Sequence, residues 1–575
     1  MPTSLLASSS RLRCSINPLQ QPGSKKAKNQ VKVQSTVGPR LFPLAGFRTS
    51  NIQNRTSDIE RKEWGAGRAI FQSSIFHIQG SKFFLEVRCA LLASGLVLLT
   101  GCNVGPNYQR PSPLGESLLP ENFSQVPSNA FSAAEWKPAE PSAHLPRSSW
   151  WQMFQDSELD RLEMLAVAHN QELAAALARF SEAQAAFSVS RADLWPQVSA
   201  NPSYIRQRTS FNEPSDGHAA GISPTYNTFT MPLQAAWEVD LWGRIRRQVE
   251  SSKARRIASA DDLEGARLAI QAEVATDFFT LRALDVEYDL LLRTAEAYQH
   301  SLDLTINRRK GGIATDLDVS QAETQLRTTE ADLPSLRLQR AKLVHALSTL
   351  CGQSAAGFNL GSNTNSVRHL PTVPMLLPSE LLERRPDIAA AEQRMASANA
   401  EIGVAEGAFY PRLQLNGLAG FQSVSASSWF DWPSRLWAFG PTIQLPLFTG
   451  GRNKAQLAMA RASYSETVAN YRQTVLSAFQ EVEDQIAAQQ LLQAQVQAEA
   501  AALAAAQRTL EVANNRYKAG LITYLEVAIA QSAALNLERS VVQLRGDKQV
   551  AIVGLIRALG GGWERNPEKL AKAVH

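Results

Sequence analysis

The chain has 575 residues, 44% hydrophobic and 19% charged, with a formal net charge of +5. That charge is uneven: residues 1–80 hold 12 Lys and Arg against 3 Asp and Glu, Lys82 and Arg88 then face only Glu86, and 102–575 is left net acidic. A basic leader on an acidic body removes the main support for a nucleic-acid partner. Of the four cysteines (Cys14, Cys89, Cys102, Cys351), only two follow the apolar stretch near residue 95, which excludes a disulfide framework, and none has metal or redox spacing.

Residues 1–86 are rich in Ser and Arg and read as a doubtful leader: either an organelle transit peptide or a start assigned too early. No Met lies between Met1 and Met153, and Val87 would open a compact signal over 87–101. In it the apolar run Ala90–Leu99 follows Arg88 and leads to Leu99-Thr100-Gly101-Cys102. This ending looks like a bacterial lipobox, with Cys102 acylated, held at a membrane without spanning it, and Asn103 compatible with outer-membrane sorting. No apolar run approaches the roughly 20 residues of a spanning helix, so any crossing must use strands. Residues 102–148, rich in Pro, Ser and Asn, read as an extended lead-in.

From Ser157 the apolar steps of Leu159, Leu162, Leu165, Leu173, Leu177 and Phe180 predict a helix that stops at Trp195-Pro196. Alternation then predicts a β-hairpin over about 195–241, with strands of bilayer-crossing length. A long helix follows from Gly243 to about Arg309, on the order of 100 Å at 1.5 Å per residue. It breaks at Gly311-Gly312, and a second long helix runs from Leu317 to Cys351-Gly352. After a linker at 354–377 the pattern returns over 378–563: helix, hairpin at about 410–448, long helix, break at Gly520, and a helix from Leu525 to Leu559-Gly560, before a tail at 564–575.

The return is literal. Asn307, Arg308, Lys310, Gly312, Thr315 and Leu317 recur 208 positions later as Asn515, Arg516, Lys518, Gly520, Thr523 and Leu525. Glu172, Leu173, Arg179 and Pro196 recur 215 positions later as Asp387, Ile388, Arg394 and Pro411, so the first hairpin is longer by seven residues, most economically in its loop. A unit of 149–353 duplicated as 378–563 restricts the architecture sharply. In the second copy Val468, Val475, Val482, Val496, Leu503 and Leu510 keep a seven-residue register, with Tyr471, Ala478 and Leu492 on the adjoining seam. Trp195, Trp237, Trp242, Tyr410, Trp429, Trp432 and Trp437 fall near the strand ends, where aromatic girdles would lie. Four strands per chain cannot close a barrel, and unpaired edges are not tolerated in lipid, so the strands must be completed by neighbouring copies.

Several motifs together resemble the outer membrane efflux protein (TolC-like) family, in the lipoprotein branch that partners resistance-nodulation-division (RND) pumps. They are Cys102-Asn103-Val104-Gly105-Pro106-Asn107-Tyr108, Trp150-Trp151 with Phe154 and Asp156, the two Pro-led hairpins, Arg516-Tyr517 with Ala519-Gly520 and Tyr524-Leu525, and Ala558-Leu559-Gly560-Gly561-Gly562-Trp563. The resemblance implies a mixed α and transmembrane β fold. A homotrimer would form a twelve-stranded β-barrel, four strands from each chain, continued by an α-helical coiled-coil tunnel through the periplasm. It implies a channel with no active site, cofactor or metal, working with a periplasmic adaptor protein and an inner-membrane RND-type pump. By position, Arg516, Tyr517, Tyr524 and Leu525 correspond to a periplasmic gate. Where such proteins often carry an aspartate this chain has Ile529, so Glu526, Asp316 or Asp318 are the candidate acids. Gly312 and Gly520 are the expected adaptor-docking turns. The rival readings are a channel for type I protein secretion, a structural coiled-coil lipoprotein without a pore, and an enzyme, for which no Ser/His/Asp set or metal spacing appears.

Overall fold

The computed structural model describes residues 103–113, 149–208, 210, 225–364 and 384–561. Cys102, the leader, the signal and the C-terminal tail lie outside the described residues.

The sequence expects one helix from Ser157 to Trp195, but the structure has two. Helix α1 (Ser157–His169) is capped by Asp156, whose carboxylate accepts from the Glu158 and Leu159 amides, and α2 (Gln171–Ala192) follows. The interruption is Asn170, in extended conformation between them. Its Oδ1 caps α2 at the Leu173 amide and its Nδ2 donates to Leu350 O, 180 residues away. Such a residue satisfies the orphan groups of two helix ends at once.

Three strands come next: β1 (Gln197–Ala200), β2 (Ser203–Arg208) and β3 (Thr225–Val239). Strands β1 and β2 pair with β3 in one continuous antiparallel register, and the gap between them is Asn201-Pro202, where proline has no amide to give to the ladder. Helix α3 (Arg244–Lys310) then runs for 67 residues and α4 (Asp316–Leu350) for 35. The second half repeats the order with α5 (Pro386–Gly407), β4 (Arg412–Ser423), β5 (Arg435–Gln444), α6 (Arg452–Lys518, again 67 residues) and α7 (Tyr524–Ala558, again 35). At 1.5 Å per residue each 67-residue helix is about 100 Å long. Among the described residues no helix is long and apolar enough to cross a membrane.

The hairpins are joined to each other. Strand β3 pairs with β4 from Phe229↔Ser423 to Val239↔Leu413, giving one antiparallel sheet in the order β1/β2, β3, β4, β5. The sheet is therefore open at β1/β2 and at β5. Gly420 permits the β3–β4 approach: a Cβ there would stand 2.1 Å from Met231 O.

Below the sheet lie three apolar cores. Trp150, Phe154, Leu159 and Leu162 pack with Phe278, Phe279 and Leu347. Tyr471, Val475, Ala478 and Val482 form the buried seam of α6, with Val468 half-buried beside them, as their heptad spacing predicts. The third core gathers Tyr298, Leu302 and Leu326 with Tyr517, Tyr524 and Val527 where the long helices end. Farther along α6, Val496, Leu503 and Leu510 remain only half-buried within one chain.

Candidate functional site

The sheet has two chemically distinct faces, because residues two apart along a strand share a side. Val198, Ala235, Gly417 and Phe439 align across the four strands, and Ala200, Leu233, Ala419 and Trp437 form the next row on the same face. Trp237, Leu415 and Pro441 continue it, then Val239, Leu413 and Ile443. The opposite face carries Gln197, Ser199, Gln234, Glu238, Gln414, Asn416 and Thr442, interspersed with Ala236, Leu418 and Ala438, and Arg412 at its helix end. The apolar face is uncovered: Phe439, Ile443 and Val198 are all exposed.

Aromatic rings close both ends of this sheet. At the helix end Trp242 stacks on Tyr410 at 4.9 Å and donates from Nε1 to Pro411 O, while Trp237 donates to Leu194 O. At the loop end Trp429 stacks on Phe430 and meets Phe229, which meets Tyr204 in turn. The Trp237 and Trp242 indole N–H groups at the helix end are satisfied by backbone carbonyls, and aromatic residues at both ends are the arrangement favoured at membrane–water boundaries.

The candidate gate residues lie about 67 residues of helix away, at the tip where α3 turns into α4 and α6 into α7. Gly312 and Gly520 both adopt positive φ (72° and 76°), conformations that glycine reaches without strain. Arg308 crosses from the first turn to the second: its Nη1 donates to Lys518 O at 3.0 Å and its guanidinium lies 4.7 Å from the Tyr517 ring centre. Tyr517 and Tyr524 are buried, at 5% and 1% exposure, and meet edge-on at 5.5 Å. Tyr517 Oη donates to Thr305 Oγ1, and Tyr524 Oη donates to Gln531 Oε1. Burial pushes the Tyr524 phenol up to about 12.

Asp318 ties the two turns together at the level of helix caps. Its Oδ2 accepts from the Thr315 amide and hydroxyl, completing a capping box at the start of α4, and its Oδ1 accepts from the Tyr524 amide at 3.1 Å. Burial works to raise this carboxyl, yet the bonds from Thr315 and Tyr524, with the charge of Arg308, hold it below the usual carboxylate range. Asp316 stays exposed and pairs with Arg309 at 2.5 Å. Arg516, Glu526 and Leu525 are all exposed, and Arg516 makes no ion pair among the described residues. Arg516 and Glu526, with Ile529, border an open groove of about 680 Å³ between α6 and α7, floored by Ala513, Ile522 and Ala530.

The structure thus separates the sequence-derived gate set. Tyr517, Tyr524 and Asp318 lock the protomer's own helices together, whereas Arg516, Leu525, Glu526 and Asp316 face outward. Two residues that sequence reasoning missed complete the lock: Arg308, and higher up Arg539. Arg539 on α7 pairs with the buried Glu287 on α3 and with Asp332 on α4, each at 2.9 Å, so one side chain holds three helices. Arg308 was signalled by the repeat, since it stands 208 positions before Arg516. Arg539 had no such signal. Cys102 lies outside the described residues, and among the described residues no cluster of His, Cys, Asp and Glu could hold a metal ion.

The sequence profile of the outer membrane efflux protein family matches residues 164–353 and 377–561. The outer membrane protein OprJ of Pseudomonas aeruginosa is 32% identical over 473 residues, covering 82% of this chain and 95% of its own. The cation efflux system protein CusC of Escherichia coli O6:H1 is 29% identical over 83% of this chain and 99% of its own. The solved outer-membrane channel OprN superposes with a TM-score of 0.71 at 30% identity, over 80% of this chain and all of that one. With both halves matched and a relative aligned nearly end to end, the chain belongs to the outer membrane efflux protein family.

Proposed function

We propose that this protein is the outer-membrane channel of a tripartite efflux system, passing small molecules from an RND-type pump and its periplasmic adaptor to the exterior. The observation that carries the reading is the two-faced, four-stranded sheet with both edges open, mounted on helices about 100 Å long. An apolar face between aromatic ends suits lipid, and an amide-rich face suits a wet lumen. Open edges cannot remain unpaired in a bilayer, so three copies join β5 of one to β1/β2 of the next and close a twelve-stranded barrel. The protomer reads as a duplicated unit: α6 and α7 begin and end 208 positions after α3 and α4, and α5 stands 215 positions after α2. An acylated Cys102 would add a lipid anchor to the barrel.

In this reading the tip is the closed end. Leu525 supplies an apolar constriction around the three-fold axis, with Glu526 and Arg516 beside it, and Asp316 is the first-half acid exposed toward the same end. Asp318 acts instead as the internal tie between α4 and α7. The Gly312 and Gly520 turns are the surfaces offered to the adaptor. CusC is named for cation efflux, and the amide-lined face here imposes little charge of its own, which suits a conduit whose cargo is chosen by the pump. Purified trimer in planar lipid bilayers should show a low resting conductance that Leu525→Ser raises. An unchanged resting conductance in that variant would remove Leu525 from the gate, and an absence of conductance in every variant would remove the channel itself.

A further inference from the structure

We infer that residues 103–110 are a seated strap that fastens the two halves of the protomer beneath the barrel, and that Arg247 is the positioning residue that seats it. Such a segment, directly after an acylated cysteine, would ordinarily be read as a flexible tether. The structure gives it a complete set of partners.

At its start, the Val104 amide donates to Trp242 O at 3.0 Å, beside the ring that stacks on Tyr410 at the foot of the sheet. Arg247, one turn into α3 and only 2% exposed, turns its guanidinium onto the strap. Nε donates to Val104 O, Nη2 to Gly105 O and to Asn107 Oδ1, and Nη1 to Glu250. A planar fork with several fixed donors fits a bent backbone in this way, and a lysine would not. Deep burial of the cation is tolerable because these bonds satisfy it.

The strap then crosses to the second half. Gly105 (φ +93°) passes so close to α5 that a Cβ on it would stand 2.4 Å from the Gly403 Cα. Asn399 donates to Pro106 O, Tyr108 Oη donates to Glu392, and Arg110 reaches Glu392 and the Tyr471 hydroxyl on α6. Within eight residues the strap touches the start of α3, the middle of α5 and the buried seam of α6. These parts belong to different halves of the sequence, and they diverge from the sheet just above. Fixing them together fixes the angle at which the strands leave the helices. It also holds Asn103 against Gly243, next to the Trp242–Tyr410 pair.

The test uses the full-length protein purified from membranes, with hydrogen exchange and thermal unfolding as readouts. Arg247→Ala and Gly105→Ala should each expose the Val104 amide to exchange by at least tenfold, leave the amides in the middle of α3 protected, and lower the melting temperature by several degrees. Arg247→Lys should not restore protection. A chain with 103–110 replaced by an eight-residue Gly/Ser segment should melt early as well, and adding Arg247→Ala to it should lower the melting temperature no further, because coupled sites are non-additive. If the two changes add, Arg247 serves α3 alone and the inference fails. A Val104 amide as fast-exchanging in the parent as in the variants would overturn it too. Conductance is measured separately, so failure here leaves the channel reading untouched.

Discussion

Replacing Asp318 with Ala should unlock the tip. The change removes the second half of the capping box, in which Oδ2 accepts from the Thr315 amide and hydroxyl, a cap worth about 1 kcal/mol. It also leaves the Tyr524 amide, buried and 3.1 Å from Oδ1, without its acceptor, at about 1–3 kcal/mol. A loss near 3 kcal/mol per protomer results, and if opening of the proposed trimer breaks all three joints the sum, roughly 9 kcal/mol, exceeds the ~5.5 kcal/mol that carries an equilibrium from 1:99 to 99:1. The assay is resting conductance in planar bilayers together with entry of a large antibiotic into intact cells, both of which should rise. The pH dependence follows from the depressed carboxyl. Because its folded value lies below the ordinary one, the stabilisation is present at neutral pH and is lost as the pH falls below about 4 through the folded value. Asp318→Asn should abolish that acid-induced step. Parent-like conductance and antibiotic entry in Asp318→Ala would refute the argument that this joint holds the tip.

Other outcomes follow from the same geometry. Glu163 on α1 is fully buried with neither oxygen hydrogen-bonded, and burial, then Asp160, push it up to about 9. It folds protonated, so its contribution is most favourable at low pH and is lost as pH rises from its ordinary value toward 9. Glu163→Gln should therefore stabilise the protein by about 3 kcal/mol at pH 7 and by almost nothing near pH 4, as thermal melts at the two pH values will show. Gly420→Val would drive a Cβ into Met231 O and should prevent assembly of heat-stable trimer, seen as monomer on unboiled gels. Arg308→Ala loses one cation–π contact to the buried Tyr517 ring and one hydrogen bond, about 1–2 kcal/mol, and should open the tip less than Asp318→Ala.

The long helices were legible because their signals are local and repeated. Val475 and Val482 announce a seam by spacing alone, and Gly312 and Gly520 mark turns that only a positive φ can make. The hairpins were legible through their prolines and alternation. What escaped depends on partners distant in sequence. Asn170 reads as an ordinary helical residue until its bond to Leu350 O is known. Pairing of β3 with β4 joins positions as far apart as Phe229 and Ser423, and neither strand encodes its neighbour. The motif alone places Tyr517 and Tyr524, and their burial against Thr305, Gln531 and Arg308 could not be read from the sequence. Arg247 gave no sign, since a basic residue in the first turn of a helix is unremarkable until a strap lies over it.

The most direct test of the efflux assignment is the susceptibility of cells lacking this gene, measured against dyes, detergents and antibiotics and compared with cells carrying the gene on a plasmid. The account predicts lowered inhibitory concentrations for several unrelated compounds, restored by the plasmid-borne gene and not by its Gly420→Val variant. Unchanged susceptibility together with the loss of a secreted protein from the medium would contradict it and assign the channel to protein export.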